Sequence, residues 1–269
     1  MIRRPAVAGH FYPGSEKSLL KEVEDLVDRG AKKEKALGVV SPHAGYMFSG
    51  PVAGRVLSSI APRSTYVIMG PNHTGMGENF SLSAAEAWKT PLGEVKVNAA
   101  LAQKILEISK NIVPDNAAHM GEHSIEVQLP FLQALNKDFS FVPIVIGHAG
   151  IATYKAVGKE LARAIRECKL EKDITIIASS DMTHYEPHEA AKKKDAKAIE
   201  AILALDEETL FKNVEKLSIT MCGYAPTVIM LVAAKELGAK SARLVKYQTS
   251  GETSGDYSSV VGYAGMIIS

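Results

Sequence analysis

Four times along the chain, a short apolar run of strand character ends in a Gly, Pro or Ser turn that carries a histidine. The runs are Leu37 to Val40 before Ser41-Pro42-His43, Tyr66 to Met69 before Gly70-Pro71-Asn72-His73, Phe141 to Ile146 before Gly147-His148, and Ile174 to Ala178 before Ser179-Ser180-Asp181-Met182-Thr183-His184. Apolar runs without polar alternation read as strands buried on both faces, the mark of a parallel sheet covered by helices. Ligands bind such sheets just beyond the carboxyl ends of the strands, so histidines gathered there point to a metal or proton-transfer site.

The segments between the runs read mostly as helices. Ser15 is placed to cap a helix that carries Leu19, Leu20, Val23, Leu26 and Val27 on one face and ends at Gly30. A second helix is expected from about Ser49-Gly50-Pro51 to Ile60, with the proline in a tolerated first turn. Further helices are expected at 98–109, 122–135, 152–168, 188–204, 206–216 and 224–237, with Pro130 interrupting the second of these. Phe80 to Ser83 and the strands around the Thr90-Pro91-Leu92-Gly93 turn read as an antiparallel excursion, 241–248 and 258–268 as closing strands, and Thr249 to Asp256 as a mobile loop. A chain of 269 residues can bury roughly three quarters of its unfolded surface in one core. The expectation is therefore one α/β domain over residues 1–269, with a central, mostly parallel but mixed sheet flanked by helices.

Charge and composition narrow the function classes. With 31 basic and 30 acidic residues, the chain has no broad positive field for nucleic acid or anionic lipid. No stretch approaches the roughly 20 apolar residues of a membrane span, and the first apolar stretch is too short for a signal peptide. Two cysteines, Cys168 and Cys222, are too few for a disulfide framework. A cytoplasmic protein without nucleic-acid or membrane partners is expected.

His43 and His73 each follow a buried strand, in turns rigid enough to aim an imidazole into a crevice, and neutral imidazole is a good ligand for Zn, Fe or Cu. Asp181 and His184 form the densest polar cluster at any strand end. At this spacing the carboxylate can fix the histidine tautomer and leave the other ring nitrogen as base or ligand, a reading the strand-end placement favours over Asp181 capping a following turn. Cys222 opens the helix expected at 224–237, where the helix N-terminus favours thiolate. His119-Met120-Gly121-Glu122-His123 matches H-x-x-E-H, an inverted zinc-peptidase pattern that requires both histidines on one helical face. Gly121 argues against a continuous helix there, which leaves Glu122, His123 and Glu126 as pocket-lining candidates. His10, His148 and His188 read as structural or exposed, and Cys168 as core.

These residues resemble a known family. Arg4-Pro5-Ala6-Val7-Ala8-Gly9 with Phe11-Tyr12-Pro13, Pro42-His43-Ala44-Gly45-Tyr46, Gly70-Pro71-Asn72-His73, Glu122-His123-Ser124-Ile125-Glu126, Ser179-Ser180-Asp181 with His184-Tyr185, and Cys222-Gly223 occur in the order found in the Memo family, also called AmmeMemoRadiSam system protein B. The resemblance implies a fold like that of class III extradiol dioxygenases, non-haem iron enzymes. It places His43, His73 and Cys222 at the metal positions, Cys222 standing where those enzymes have a carboxylate, and His184 at the acid/base position beside Asp181. It also implies a transition metal, Fe or Cu first and Zn as a further option, and an association with Amme-domain and radical S-adenosylmethionine proteins. Because a thiolate in place of a carboxylate softens the site, two readings follow: redox or oxygenase chemistry on an unknown small molecule or peptide, or a non-catalytic binding or adaptor protein on a degenerate dioxygenase scaffold.

Overall fold

A computed structural model describes residues 1–269. In chain order the first elements are β1 (Ile2–Arg3), α1 (Glu16–Leu26), β2 (Gly38–Ser41), α2 (Tyr46–Ser58), β3 (Thr65–Pro71), β4 (Phe80–Leu82), β5 (Ala87–Thr90) and β6 (Gly93–Val97). Next come α3 (Ala99–Ile108), β7 (Val113–Pro114), α4 (Ala117–Met120), a 3-10 turn (Glu126–Gln128), α5 (Leu129–Leu135), β8 (Ser140–Ile146) and α6 (Ile151–Glu167). The last are β9 (Ile174–Ser179), β10 (His184–Glu186), α7 (His188–Leu203), α8 (Glu207–Lys216), α9 (Tyr224–Glu236), β11 (Ala242–Thr249), α10 (Gly251–Ser254) and β12 (Val260–Ile268).

The four histidine-ended runs are the centre of one mixed sheet. β8, β3, β9 and β2 lie side by side in that order and run parallel, so their carboxyl ends share one edge. β12 closes the sheet antiparallel to β2, and β10 and β11 pair with β12. The continuous apolar runs are explained by burial on both faces. In β3, Val67 and Met69 enter one core while Tyr66 and Ile68 enter the other, and in β8 Val142, Ile144 and Ile146 oppose Phe141 and Val145. Each such side chain contributes roughly 1.5–3 kcal/mol by leaving water. α9 is buried almost all round, from Ala225 to Ala234, because it lies between the sheet and α6 and α8.

Several boundaries differ from expectation, each for a local reason. α1 stops at Leu26, where Val27 turns extended, before Gly30 is reached. α2 begins at Tyr46, ahead of Ser49, and holds Pro51 inside it, at the cost of one helical N–H bond. The expected 122–135 helix is only the 3-10 turn and α5, which carries Pro130 in its first turn. The Thr249–Asp256 stretch is not simply a loop; it folds one turn, α10, that Gly255 ends in the left-handed conformation.

Candidate metal centre

Polar residues in the otherwise apolar strand ends make a hydrogen-bond network that sets the state of His43. Gln128 donates its amide to the Pro42 carbonyl at 2.9 Å and to Ser179 Oγ at 2.9 Å, while its Oε1 accepts from Ser41 Oγ at 2.8 Å. Ser179 has one hydroxyl proton, which it donates to the Ser124 carbonyl at 2.6 Å. His43 Nδ1, 2.9 Å from Ser179 Oγ, must therefore be the protonated nitrogen and donate to it. The lone pair of Nε2 is left to face Cys222 Sγ at 3.2 Å. Burial holds the imidazole well below its usual pKa and keeps it neutral, with the neighbouring His73, His123 and His184 acting in the same direction.

His73 is oriented by a carboxylate. Glu122 is fully buried, and its Oε1 accepts from His73 Nδ1 at 2.9 Å and from the amides of His123 and Ser124, while Oε2 accepts from the His73 amide at 2.7 Å. Burial alone would raise this carboxyl, but the hydrogen bond and charge of His73, together with the backbone donors, outweigh it and hold it down at about 2. With Nδ1 engaged, Nε2 is the nitrogen His73 can offer to a metal. His123 stacks on His73 with ring centroids 4.7 Å apart and meets His43 edge-on at 5.4 Å. Burial, chiefly, lowers His123 to about 4, so it too is neutral.

Cys222 enters from the turn before α9. Gly223 makes that turn possible: a Cβ there would lie 2.3 Å from the Ser179 carbonyl oxygen and 2.5 Å from Ser180 Cβ. Cys222 Sγ accepts the Asp181 amide at 3.3 Å. The expected low thiol pKa is not found. Burial pushes the Cys222 thiol up and the Asp181 charge adds to this, so with no cation beside it desolvation outweighs the helix end.

Asp181 and His184 share the neighbourhood without the expected pairing. The Asp181 carboxylate accepts the His43 amide at 2.8 Å, and no helix follows for it to cap. Burial raises its carboxyl, opposed by the His43 amide and the His184 charge. His184 Nδ1 lies 2.7 Å from the Met182 carbonyl and 2.9 Å from that of Thr220, both acceptors, so Nδ1 carries the proton and Nε2 is the basic end. The tautomer is fixed as expected, but by backbone carbonyls because the Asp181 carboxylate is taken up by His43.

One ligand atom each from His43, His73 and Cys222 lie within 4.8 Å of one another, as do those of His73, Glu122 and His123. Metal–ligand distances of about 2.0–2.3 Å in a tetrahedral site separate donors by about 3.3–3.8 Å, so the first set can close on one ion with small adjustments. His119 does not join Glu122 and His123. It donates to the Ser81 carbonyl and packs edge-on against Trp88, because the chain leaves α4 at Met120 and the peptidase pattern loses its helical face. Glu126 likewise leaves the pocket, accepting from Arg3, Tyr12 and the amides of Ala6 and Val7 to anchor the N-terminal segment. Sequence reasoning does not find Ser179 and Gln128 as orienting residues, although Gln128 between Val127 and Leu129, in a segment polar only at Glu126 and Gln128, is a readable sign. His148, read as structural or exposed, is exposed and lines a cavity of about 170 Å³ together with His73, Cys222 and Tyr224.

The fold and site define an α/β protein with a His/His/Cys donor set at the carboxyl edge of a parallel strand quartet, and no helix is long and apolar enough to cross a membrane. The family model described as Memo-like protein matches residues 3–267, so the chain belongs to the Memo family. It is 45% identical to a MEMO1 family protein of Methanococcoides burtonii, covering 99% of this chain and 100% of the relative. Identity is 44% to one of Methanopyrus kandleri, with 99% of each chain covered. Among solved structures, an uncharacterized protein of Escherichia coli K12 has a similar fold, with a TM-score of 0.55, 14% identity, and coverage of 87% of this chain and 100% of that one.

Proposed function

We propose that this protein binds one transition-metal ion through His43 Nε2, His73 Nε2 and Cys222 Sγ, with Asp181 and His184 as the adjoining polar and acid/base groups. The observation that carries the reading is the matched tethering of the two imidazoles. Each is held at Nδ1, by Ser179 and by Glu122, and both are grouped with the same thiol. A carboxylate or hydroxyl behind a histidine ligand is the arrangement that orients metal-bound imidazoles. The soft donor set suits Fe, Cu or Zn, and when bound such an ion supplies Lewis-acid or redox chemistry to a substrate. His184 Nε2 is free to take or give a proton, and His43 and His123 stay neutral because their burial disfavours charge. The dioxygenase-like reading of the site, and association with Amme-domain and radical S-adenosylmethionine proteins, belong to the same proposal. Anaerobic metal analysis of purified protein should find one metal per chain, lost in His43→Ala and in Cys222→Ser; unchanged occupancy in both variants overturns the assignment. The adaptor reading is favoured by one observation, the thiol in place of a carboxylate ligand. Metal-dependent oxygen uptake would rule it out.

A further inference from the structure

The cavity beside the metal donors has a chemical bias of its own. Its lining combines His73 and Cys222 with the apolar Pro71, Ile146 and Ala225, and contains no Asp, Glu, Lys or Arg. At about 170 Å³ it is close to the size of an apolar cavity that takes up one benzene ring. Two polar side chains line it, the exposed His148 through Nδ1 and Tyr224 through an Oη that also meets the Tyr154 hydroxyl, and they pair only loosely with each other at 3.4 Å. The third, Asn72, is already committed. Its amide nitrogen donates to the Met76 carbonyl, and its oxygen accepts from Thr74 Oγ1 and the Gly75 amide. The Tyr224 ring is held in place by Tyr154 and Phe211, with centroids at 6.2 and 6.1 Å. Tyr224 also opens α9, whose first turn has no side-chain cap and no acidic residue.

The geometry points to His148 and Tyr224 as the oxyanion-binding wall of the site, and to a small organic carboxylate of about one ring's size as the class of molecule it takes. This rests on the metal reading above. A divalent cation on His43, His73 and the Cys222 thiolate leaves net positive charge beside a cavity with no lining carboxylate, and the His148 and Tyr224 donors then favour an anionic oxygen over a neutral one.

The probe is benzoate, titrated into cobalt(II)-loaded full-length protein and read from the cobalt absorption bands and by calorimetry. A saturable change is expected, with benzoate affinity falling about tenfold in His148→Ala and in Tyr224→Phe while cobalt affinity stays within twofold of the parent. Tyr224→Phe keeps the ring against Tyr154 and Phe211, so a loss there reports the hydroxyl and not the fold. Equal benzoate affinity in all three proteins overturns the wall. Benzyl alcohol binding as tightly as benzoate, or cobalt binding normally with no benzoate effect, overturns the carboxylate class and leaves the metal site standing. A parent protein that binds no cobalt overturns both readings.

Discussion

Glu122 sits behind the centre without being one of its proposed ligands, and its substitution separates orientation from ligation. In Glu122→Gln, one of the two accepting oxygens becomes an NH₂ donor, which must face at least the His73 amide, one of the four N–H groups that all need an acceptor. Metal affinity should fall about 10- to 100-fold, the range found for lost orienting partners, as checked by competition with a chromogenic chelator. The same substitution has an acid signature. The native carboxyl titrates at about 2 against 4.5 for an unperturbed glutamate, so its stabilising contribution is complete above pH 4.5 and is lost as pH falls from there toward 2. A difference of that size is on the order of 3 kcal/mol. Urea midpoints measured from pH 6 down to 2.5 should therefore decline more steeply in the parent than in Glu122→Gln, and parallel curves would show that Glu122 is not held ionised. Cys222 makes the opposite kind of contribution. Burial keeps its thiol protonated beside the neutral imidazole of His43, so loading zinc at pH 7.5 should release about one proton per metal from the thiol, measured by calorimetry in buffers of different ionisation enthalpy. No proton release on zinc binding would remove Cys222 from the ligand set.

Between elements, packing can be tested where α6 crosses α9. A Cβ at Gly158 would lie 2.7 Å from Val232 Cβ and 2.8 Å from the Ile229 carbonyl oxygen, so Gly158→Ala must push two helices apart. Alanine is the better helix former by roughly 0.5–1 kcal/mol, but overpacking of this kind costs about 1–3 kcal/mol. A net loss is expected, seen as a lower urea midpoint with unchanged slope; a rise would mean that the helices have slack. The elements that were legible in the sequence were those specified by local pattern. The four runs around Val39, Ile68, Ile144 and Ile176 announced two-sided burial because they lack polar alternation, and the histidines after them marked the functional edge. What was not legible depends on contacts distant in sequence. Ser179 meets His43 across 136 residues and Gln128 meets Pro42 across 86, and neither local periodicity nor residue type encodes such a pairing. The partner of Asp181 was misread for the same reason: spacing suggested His184 three residues on, whereas the fold delivers the His43 amide from 138 residues away.

Across the whole molecule, the sheet ties the proposed metal centre to both ends of the chain. β1, at Ile2–Arg3, and β12, at Val260–Ile268, belong to the same sheet as the four histidine-ended strands, and His43, His73 and Cys222 come from three separate connections along its carboxyl edge. An ion held by all three can bind only when β2, β3 and the turn before α9 are assembled together, so its binding free energy should stabilise the entire sheet and not one loop. At a free metal concentration 100 times its Kd the gain is about 2.7 kcal/mol. For a chain of this size that corresponds to a rise in Tm of roughly 5–10 °C. Thermal unfolding followed by far-ultraviolet circular dichroism should show one cooperative transition that moves up by this amount when zinc is added, and does not move in His43→Ala. A shift confined to part of the amplitude would show that the sheet melts in pieces. The metal would then be bracing only the strands that carry its ligands, and the proposal of one domain over residues 1–269 would fall with that result.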